Sequence, residues 1–323
     1  MNIWRLQTNT DSKTGLKIAD YCVENKILAM GWSLKNDHLE NCDSDILPHI
    51  IADRNKITTF EDYSNLLSKY NIYGGNVNPN VNRFYYDMKP NDLVWIRSAG
   101  IYYLGRITEN SHWKYDNSQT ALDLDASNQI TDVKWYKIGD ESDVPGAITT
   151  SLIRGQTLQK IWKTGVWEYS QLIYNEKAGS NFYTGFELKD SMDTFYSLLS
   201  PDDCEDLLCL WLYSKYGYIT IPSTNKKSTE CYECVLKDPK TGKNIYPQVK
   251  AGEVTLYEKD YFHLDGEVWL FTTKGCVEKD NCNNHKNIHV ADPNEIFAFA
   301  GTDIAANILP KSIITWKNRL SKI

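Results

Sequence analysis

The sequence has no apolar run near the ~20 residues that a membrane-spanning helix needs. Its start, Met1-Asn2-Ile3-Trp4-Arg5, also lacks the charged, apolar and small-residue order of a secretory leader. A soluble, cytoplasmic protein with no membrane partner is the expectation. An excess of basic charge is missing too, with 35 Lys and Arg against 42 Asp and Glu and a net charge of −7. From residue 191 onward the balance is 15 against 18, leaving 20 against 24 before it, so neither half is a basic domain. A protein held to phosphate by its overall field is therefore excluded, and nucleic-acid binding would have to rest on local patches. Eight cysteines in 323 residues are too few and too scattered for a disulfide scaffold. What is abundant is flat and amphipathic: 10 Trp and 21 Tyr, side chains that fill cores and also build cages around planar ligands.

Length predicts two domains or three, and neither repeats nor low-complexity tracts interrupt them. Ile3 to Leu6 and Ile27 to Trp32 read as strands, and Ser12 to Asn25 as a helix. Phe60, Tyr63, Leu66 and Leu67 recur at helical spacing within Ile57 to Lys69. The turn Lys89-Pro90-Asn91-Asp92 feeds a β-hairpin, Leu93 to Arg97 and Ile101 to Ile107 around Gly100. Asn175 to Ser180 is a polar connector, which sets the domains at 1–165 and 196–323 with a linker at 166–195. Ser200-Pro201-Asp202-Asp203 combines a cap, a first-position proline and first-turn acids, so a helix runs to about Tyr216 and ends at Gly217. Strands follow at Tyr218 to Ile221, Cys231 to Leu236, Ile245 to Val249 and Val268 to Thr273, then helices at Asn294 to Phe299 and Lys311 to Leu320. The fold class is α+β, with an α/β sandwich in the second domain.

Within the second domain, alternation along a strand puts Gln248 and Lys250 on one face. If Glu233 on the preceding strand shares it, a carboxylate, an amide oxygen and an ammonium converge. Glu233, the Gln248 side chain and the main-chain carbonyl of Val249 are hard oxygen donors suited to Mg. Lys250 would steady developing negative charge. Glu205 shares a helix face with Leu208, Cys209 and Leu212, placing an acid at the edge of a packed stripe. Each residue also has a plain reading: Glu205 as a solvated helix-start acid, Glu233 and Lys250 as a cross-strand ion pair, and Gln248 as a surface residue. Lys226, Lys227, Lys237, Lys240 and Lys243 are phosphate contacts or solvated turn residues. Pro247, lacking a donor, suits an edge strand or a bulge. Cys231 and Cys234, with Cys276, Cys282, His285 and His289, admit zinc, although residues three apart on a straight strand face opposite ways and buried thiols fit better.

The order Glu205-Asp206, Gly217-Tyr218, Glu233, Gln248-Val249-Lys250 and Gly266 to Gly275 resembles the Mrr-type branch of the PD-(D/E)xK nucleases over about residues 196–300. The resemblance implies a Mg-dependent endonuclease with Glu205, Glu233, Gln248 and Lys250 as its catalytic set. Glu233 stands where that branch usually has Asp.

The first half offers no catalytic set. Its runs Ile3-Trp4-Arg5-Leu6, Met30-Gly31-Trp32-Ser33, Pro90 to Trp95 with Gly105-Arg106-Ile107, and Val144-Pro145 leading to Arg154-Gly155 resemble the EVE branch of the PUA-like fold. That implies a β-barrel with helices that grips a methylated or hydroxymethylated base. Trp32, Trp95 and Trp113 would form the cage, and Arg97, Arg106 and Arg154 would contact phosphate or base edges. For any single tryptophan, a core role competes with this.

Together the two resemblances describe a modification-dependent, type IV-like restriction endonuclease. It would cut base-modified double-stranded DNA in phage defence as a homodimer, because one active site cuts one strand. Two alternatives stand beside it: a non-catalytic nucleic-acid-binding module, and an effector nuclease switched by a small nucleotide in the first domain.

Overall fold

The computed structural model describes residues 1–8, 17–39, 45–225, 231–279 and 286–322. The chain divides into two compact units whose segments alternate along the sequence: 1–140, 150–162 and 170–184 in the first, and 141–149, 163–169 and 185–323 in the second. The stretch 166–195 is thus no simple linker. It opens with a 13-residue helix, and its residues are shared between the units.

Through residue 140 the elements are β1 (Ile3–Leu6), α1 (Ile18–Asn25), β2 (Leu28–Met30), α2 (Leu47–Arg54), α3 (Phe60–Tyr70), α4 (Pro79–Tyr86), β3 (Leu93–Ser98), β4 (Ile101–Ile107), β5 (Trp113–Tyr115), α5 (Gln119–Asp123), β6 (Asn128–Ile130) and β7 (Val133–Gly139). Next come α6 (Gly146–Arg154), β8 (Leu158–Ile161) and α7 (Val166–Ala178). The main sheet of the first unit has the order β7-β4-β3-β1-β8, and a smaller one runs β2-β6-β5.

Neither sheet closes on itself, so the expected barrel is corrected to open sheets: among the described strands, β7 and β8 are the unjoined edges. The turn acid Asp92 explains why β1 lies parallel to β3. Its carboxylate accepts from the Asn2 N–H at 2.7 Å, the Trp4 indole at 2.8 Å and the Lys89 N–H at 3.1 Å, tying the chain start to the turn before β3. The predicted hairpin is β3–β4, and its reversal uses left-handed backbone at Ala99 and Gly100, φ 48° and 81°. In α3, Phe60, Tyr63, Leu66 and Leu67 are buried as their spacing predicts, behind a capping box of Thr59 and Asp62.

The second unit contains α8 (Met192–Leu198), α9 (Pro201–Tyr216), β9 (Ile219–Thr220), β10 (Leu236–Lys237), β11 (Asn244–Lys250), β12 (Leu256–Tyr257), β13 (Glu267–Thr272), β14 (Val277–Glu278), β15 (Ile288–Val290), α10 (Pro293–Phe299), α11 (Asp303–Ile308) and α12 (Lys311–Leu320). Its sheet has the order β15-β13-β11-β10-β9, with β11, β13 and β15 parallel. The edge-to-face pair of Trp211 and Trp269, ring centres 5.5 Å apart, sets α9 against the Trp269 face of the sheet. Tyr246, Val268 and Leu270 cover the opposite face with Leu256 and Tyr261. Ser200 caps α9 in a box with Asp203, and Gly217 closes it at φ 78°.

Two expectations change here. The strand expected over Cys231 to Leu236 shrinks to Leu236–Lys237. Upstream, the Val235 N–H donates to the Thr224 hydroxyl at 2.9 Å instead of joining a ladder. Pro247 sits in an interior strand rather than at an edge. Its carbonyl accepts from the Glu233 N–H at 2.9 Å, so the donor it lacks would point to the same side, where β10 has already ended.

Candidate functional site

The C-terminal end of β11 brings most of the predicted residues together. The Lys250 ammonium lies 3.7 Å from a Glu233 carboxylate oxygen, and the Val249 N–H donates to that same oxygen at 3.4 Å. The N–H and C=O of an extended residue point to one side, so the Val249 carbonyl lies on the Glu233 side of β11, clear of β13. Gln248 shares the Lys250 face and is buried, with 1 % of its surface exposed. No described residue hydrogen-bonds its Oε1. An orphaned buried acceptor costs about 1–3 kcal/mol, which makes it an unusual feature in a packed interior strand.

Glu205 on α9 belongs to the same electrostatic group. Burial and the nearby negative charges of Glu233, Asp202 and Asp206 push its carboxyl up to about 7, against a smaller opposing pull from Lys250. A freely solvated helix-start acid would show no such shift. Burial, with Asp203 and Asp202, also raises Asp206. Among the described residues, the acids of this group therefore carry more negative charge than the Lys250 ammonium offsets.

This donor set fits a hard divalent cation. Glu233 supplies charge, Gln248 Oε1 lacks a partner, and the Val249 carbonyl faces the same side. Among the described residues no three His, Cys, Asp or Glu side chains gather as a metal cluster, so oxygen from Gln248 and the backbone is needed to complete one.

Lys237, Lys240 and Lys243 separate from the site. Lys237 donates to the Gly242 carbonyl at 3.0 Å within its own turn, and Lys240 and Lys243 are exposed there. Lys226 and Lys227 lie outside the described residues, as do Cys282 and His285. Cys234 is buried with its sulfur 3.7 Å from that of Cys209, while Cys276 is exposed.

In the first unit, a cavity of about 410 Å³ is lined by Gln7, Met30, Gly31, Trp32, Tyr73 and Asp125, among others. Of the predicted cage tryptophans, only Trp32 is a wall of it. Trp95 is fully buried and donates to the Ser170 hydroxyl at 3.1 Å, so it is a core residue. Trp113 sits in an aromatic cluster, edge-on to Phe60 and Tyr85 with ring centres 5.3 and 6.0 Å away.

The arginines divide similarly. Arg106 is buried, donating to the Tyr174 hydroxyl at 2.9 Å and the Asn91 side chain at 2.8 Å, with Phe182 beneath its guanidinium. It holds the fold and is not free to meet phosphate. Arg97 lies over the Tyr102 ring, and the side chain of Arg154 is outside the described residues.

Tyr73, Asp125 and Gln7 escaped the sequence reading, whereas Gly31 stood within the run Met30-Gly31-Trp32-Ser33. Tyr73 was detectable in principle, because an aromatic residue leading into Gly74-Gly75 marks a sharp change of direction. Trp32, Tyr73 and Asp125 all adopt left-handed backbone, φ 59°, 53° and 53°. Such conformations are costly for residues with side chains and cluster at functional sites. No protein-family model, curated protein or solved structure matches the chain.

Proposed function

We propose that the protein is a Mg-dependent endonuclease of the modification-dependent restriction type, in which the first unit holds a modified base and the second hydrolyses the phosphodiester backbone. The observation that carries the catalytic half is the Gln248 Oε1, buried on the Lys250 face with no described residue bonded to it, one residue from the Val249 N–H and two from the Lys250 ammonium that meet the Glu233 carboxylate. A stable fold has no use for that combination, whereas a cation site does. Glu233, Gln248 Oε1 and the Val249 carbonyl would hold the ion, which when bound supplies Lewis-acid polarisation of the phosphate and a more acidic water.

The chain's own groups do the rest. Lys250 places a positive charge where the pentavalent phosphate accumulates negative charge. Glu205, its carboxyl pushed up to about 7, exchanges a proton readily at neutral pH, as a general acid or base requires. Glu233 holds the Lys250 ammonium in place through their 3.7 Å contact.

The base-holding half rests on the cavity. Its 410 Å³ falls within the ~300–1,000 Å³ of small-ligand sites, and Trp32 and Tyr73 are the aromatic residues of its lining, the side chains on which a base would stack. Stacking contributes about 1–3 kcal/mol per base, enough to act on a protein with net negative charge.

The test is to incubate the full chain with Mg and methylated or hydroxymethylated duplex, comparing wild type with Lys250→Ala. Wild type is expected to cut the modified duplex, and the variant to lose at least ~100-fold in rate while still binding it. Equal cleavage by both ends the catalytic assignment, and binding without any metal-dependent cleavage by wild type favours a pure binding module. Because the cavity also has room for a free nucleotide, an effector nuclease triggered by that ligand is the second reading. Cleavage of unmodified plasmid only after nucleotide addition identifies it.

A further inference from the structure

The cavity of the first unit holds a carboxylate oxygen that no described residue pairs. Asp125 Oδ1 accepts from the Ser33 N–H at 2.8 Å. No hydrogen bond or ion pair with a described residue engages Oδ2. A Cβ added at Gly31, also in the cavity wall, would lie 2.7 Å from Oδ2, so glycine leaves the space in front of that oxygen open. Among the described residues no lysine or arginine is part of the cavity lining, and the Arg5 guanidinium lies behind Gly155, bonded to the Gln156 carbonyl and the Gln159 side chain.

The neighbouring walls are fixed in place. The Tyr63 hydroxyl donates to the Trp32 carbonyl at 2.9 Å, and the Tyr73 hydroxyl to the Ser33 carbonyl at 3.0 Å. The three residues with left-handed backbone are therefore held by bonds around one short segment, Trp32 and Ser33. A carboxylate fixed this way repels phosphate and carboxylate ligands, and faces a ring carbonyl unfavourably. It accepts from an N–H donor, and the aromatic walls require that donor to be on a flat ring.

We propose that Asp125 selects nucleobases bearing an exocyclic amino group, cytosine-type rather than uracil- or thymine-type, by accepting the amino N–H at Oδ2 while Trp32 and Tyr73 sandwich or flank the ring. This rests on the base-holding reading above and names what that site takes. Gln7 and Thr157 are also in the lining, and their side chains would be the donors for the ring carbonyl.

Cytidine and uridine form the decisive pair, since they share size and sugar and differ at one ring edge. Binding of each to the full chain is read by calorimetry or by tryptophan fluorescence. Wild type is expected to bind cytidine at least about tenfold more tightly than uridine, because mismatching a buried polar partner costs more than removing an apolar contact. Asp125→Asn keeps an oxygen for the Ser33 N–H and turns the free position into an amide donor, so the preference should vanish or reverse. Gly31→Ala, which fills the space before Oδ2 at a position with ordinary backbone, should reduce cytidine affinity more than uridine affinity. It carries the test if Asp125→Asn does not fold.

Equal binding of the two nucleosides by wild type overturns the amino-group selection and leaves the base-holding reading standing. Binding of neither nucleoside at millimolar concentration overturns both.

Discussion

In the first unit the walls of the cavity are tied down by ordinary partners: Asp125 caps Ser33, Tyr73 reaches the Ser33 carbonyl, and Tyr63 secures the Trp32 carbonyl. In the second, the end of β11 brings Glu233 to the Lys250 ammonium within the field of Glu205, and no described residue partners the Gln248 oxygen. The first arrangement invests in backbone conformation and the second in unbalanced polarity. A site that must hold a flat ring needs rigid walls in fixed positions. A site that must hold an ion and move charge needs donors that the protein itself does not satisfy. Both carry a cost in stability, and the costs are separable by mutation.

The largest effect should come from Gln248→Met. The substitution keeps an unbranched side chain of similar length in the interior of the sheet and removes the unpaired acceptor. Cleavage of modified DNA should fall by at least ~100-fold, since the oxygen ligand is gone. At the same time, stability in urea denaturation should rise by about 1–2 kcal/mol, the penalty of an unmet buried polar group being relieved. A Gln248→Met protein that loses stability would show that Gln248 Oε1 is satisfied in the folded chain, and the contrast between the two sites would break at its strongest point.

In the first unit the corresponding comparison is Trp32→Ala against Trp32→Gly. Both remove the ring, so both should weaken ligand binding by roughly 10- to 100-fold, in line with ~1–3 kcal/mol per stacked base. They differ in the backbone. At φ 59° an alanine still has a Cβ in the left-handed region, whereas glycine adopts it freely. Trp32→Gly should therefore be more stable than Trp32→Ala by about 1 kcal/mol, the reverse of the usual order in regular structure. Chemical denaturation of both variants measures it, and the usual order would mean that the backbone at Trp32 carries no strain.

Much of the scaffold was legible because its signals are local. The four apolar positions of α3 recur at helical spacing and are buried, and α9 starts at a serine and ends at a glycine that perform those roles in the structure. The hairpin of β3 and β4 follows from its turn. Glu233, Val249 and Lys250 meet because a short hairpin returns one to the other.

What failed depended on partners far along the chain. Alternation cannot reveal that Leu93 to Ile96 is covered on both faces, so Trp95 read as a cage wall when it is core. Whether a sheet closes depends on the pairing of its two end strands, which leaves no mark in either strand alone. The cavity joins Trp32 to Tyr73 and Asp125 through positive-φ backbone, and tyrosine and aspartate at such positions are not announced as a glycine would be.

The smallest effect sharpens the description of the charged cluster. Glu205 has its carboxyl at about 7 in the folded chain, above the ordinary 4.5. Between those values the folded state keeps a proton that the unfolded chain has released. Stability contributed by the neutral form is therefore present below about 4.5 and is lost as pH rises through about 7. Glu205→Gln mimics the neutral form at every pH. Wild type and variant should melt together near pH 4.5 and separate by pH 8, with the variant higher by about 1–3 °C, because a half-buried side chain is partly screened by solvent. Melting curves across that range test both the sign and the window. A variant that is instead less stable at pH 8 would mean that ionised Glu205 is held by a favourable partner. In that case the cluster would already be balanced within the protein, with no deficit left for a bound cation to fill.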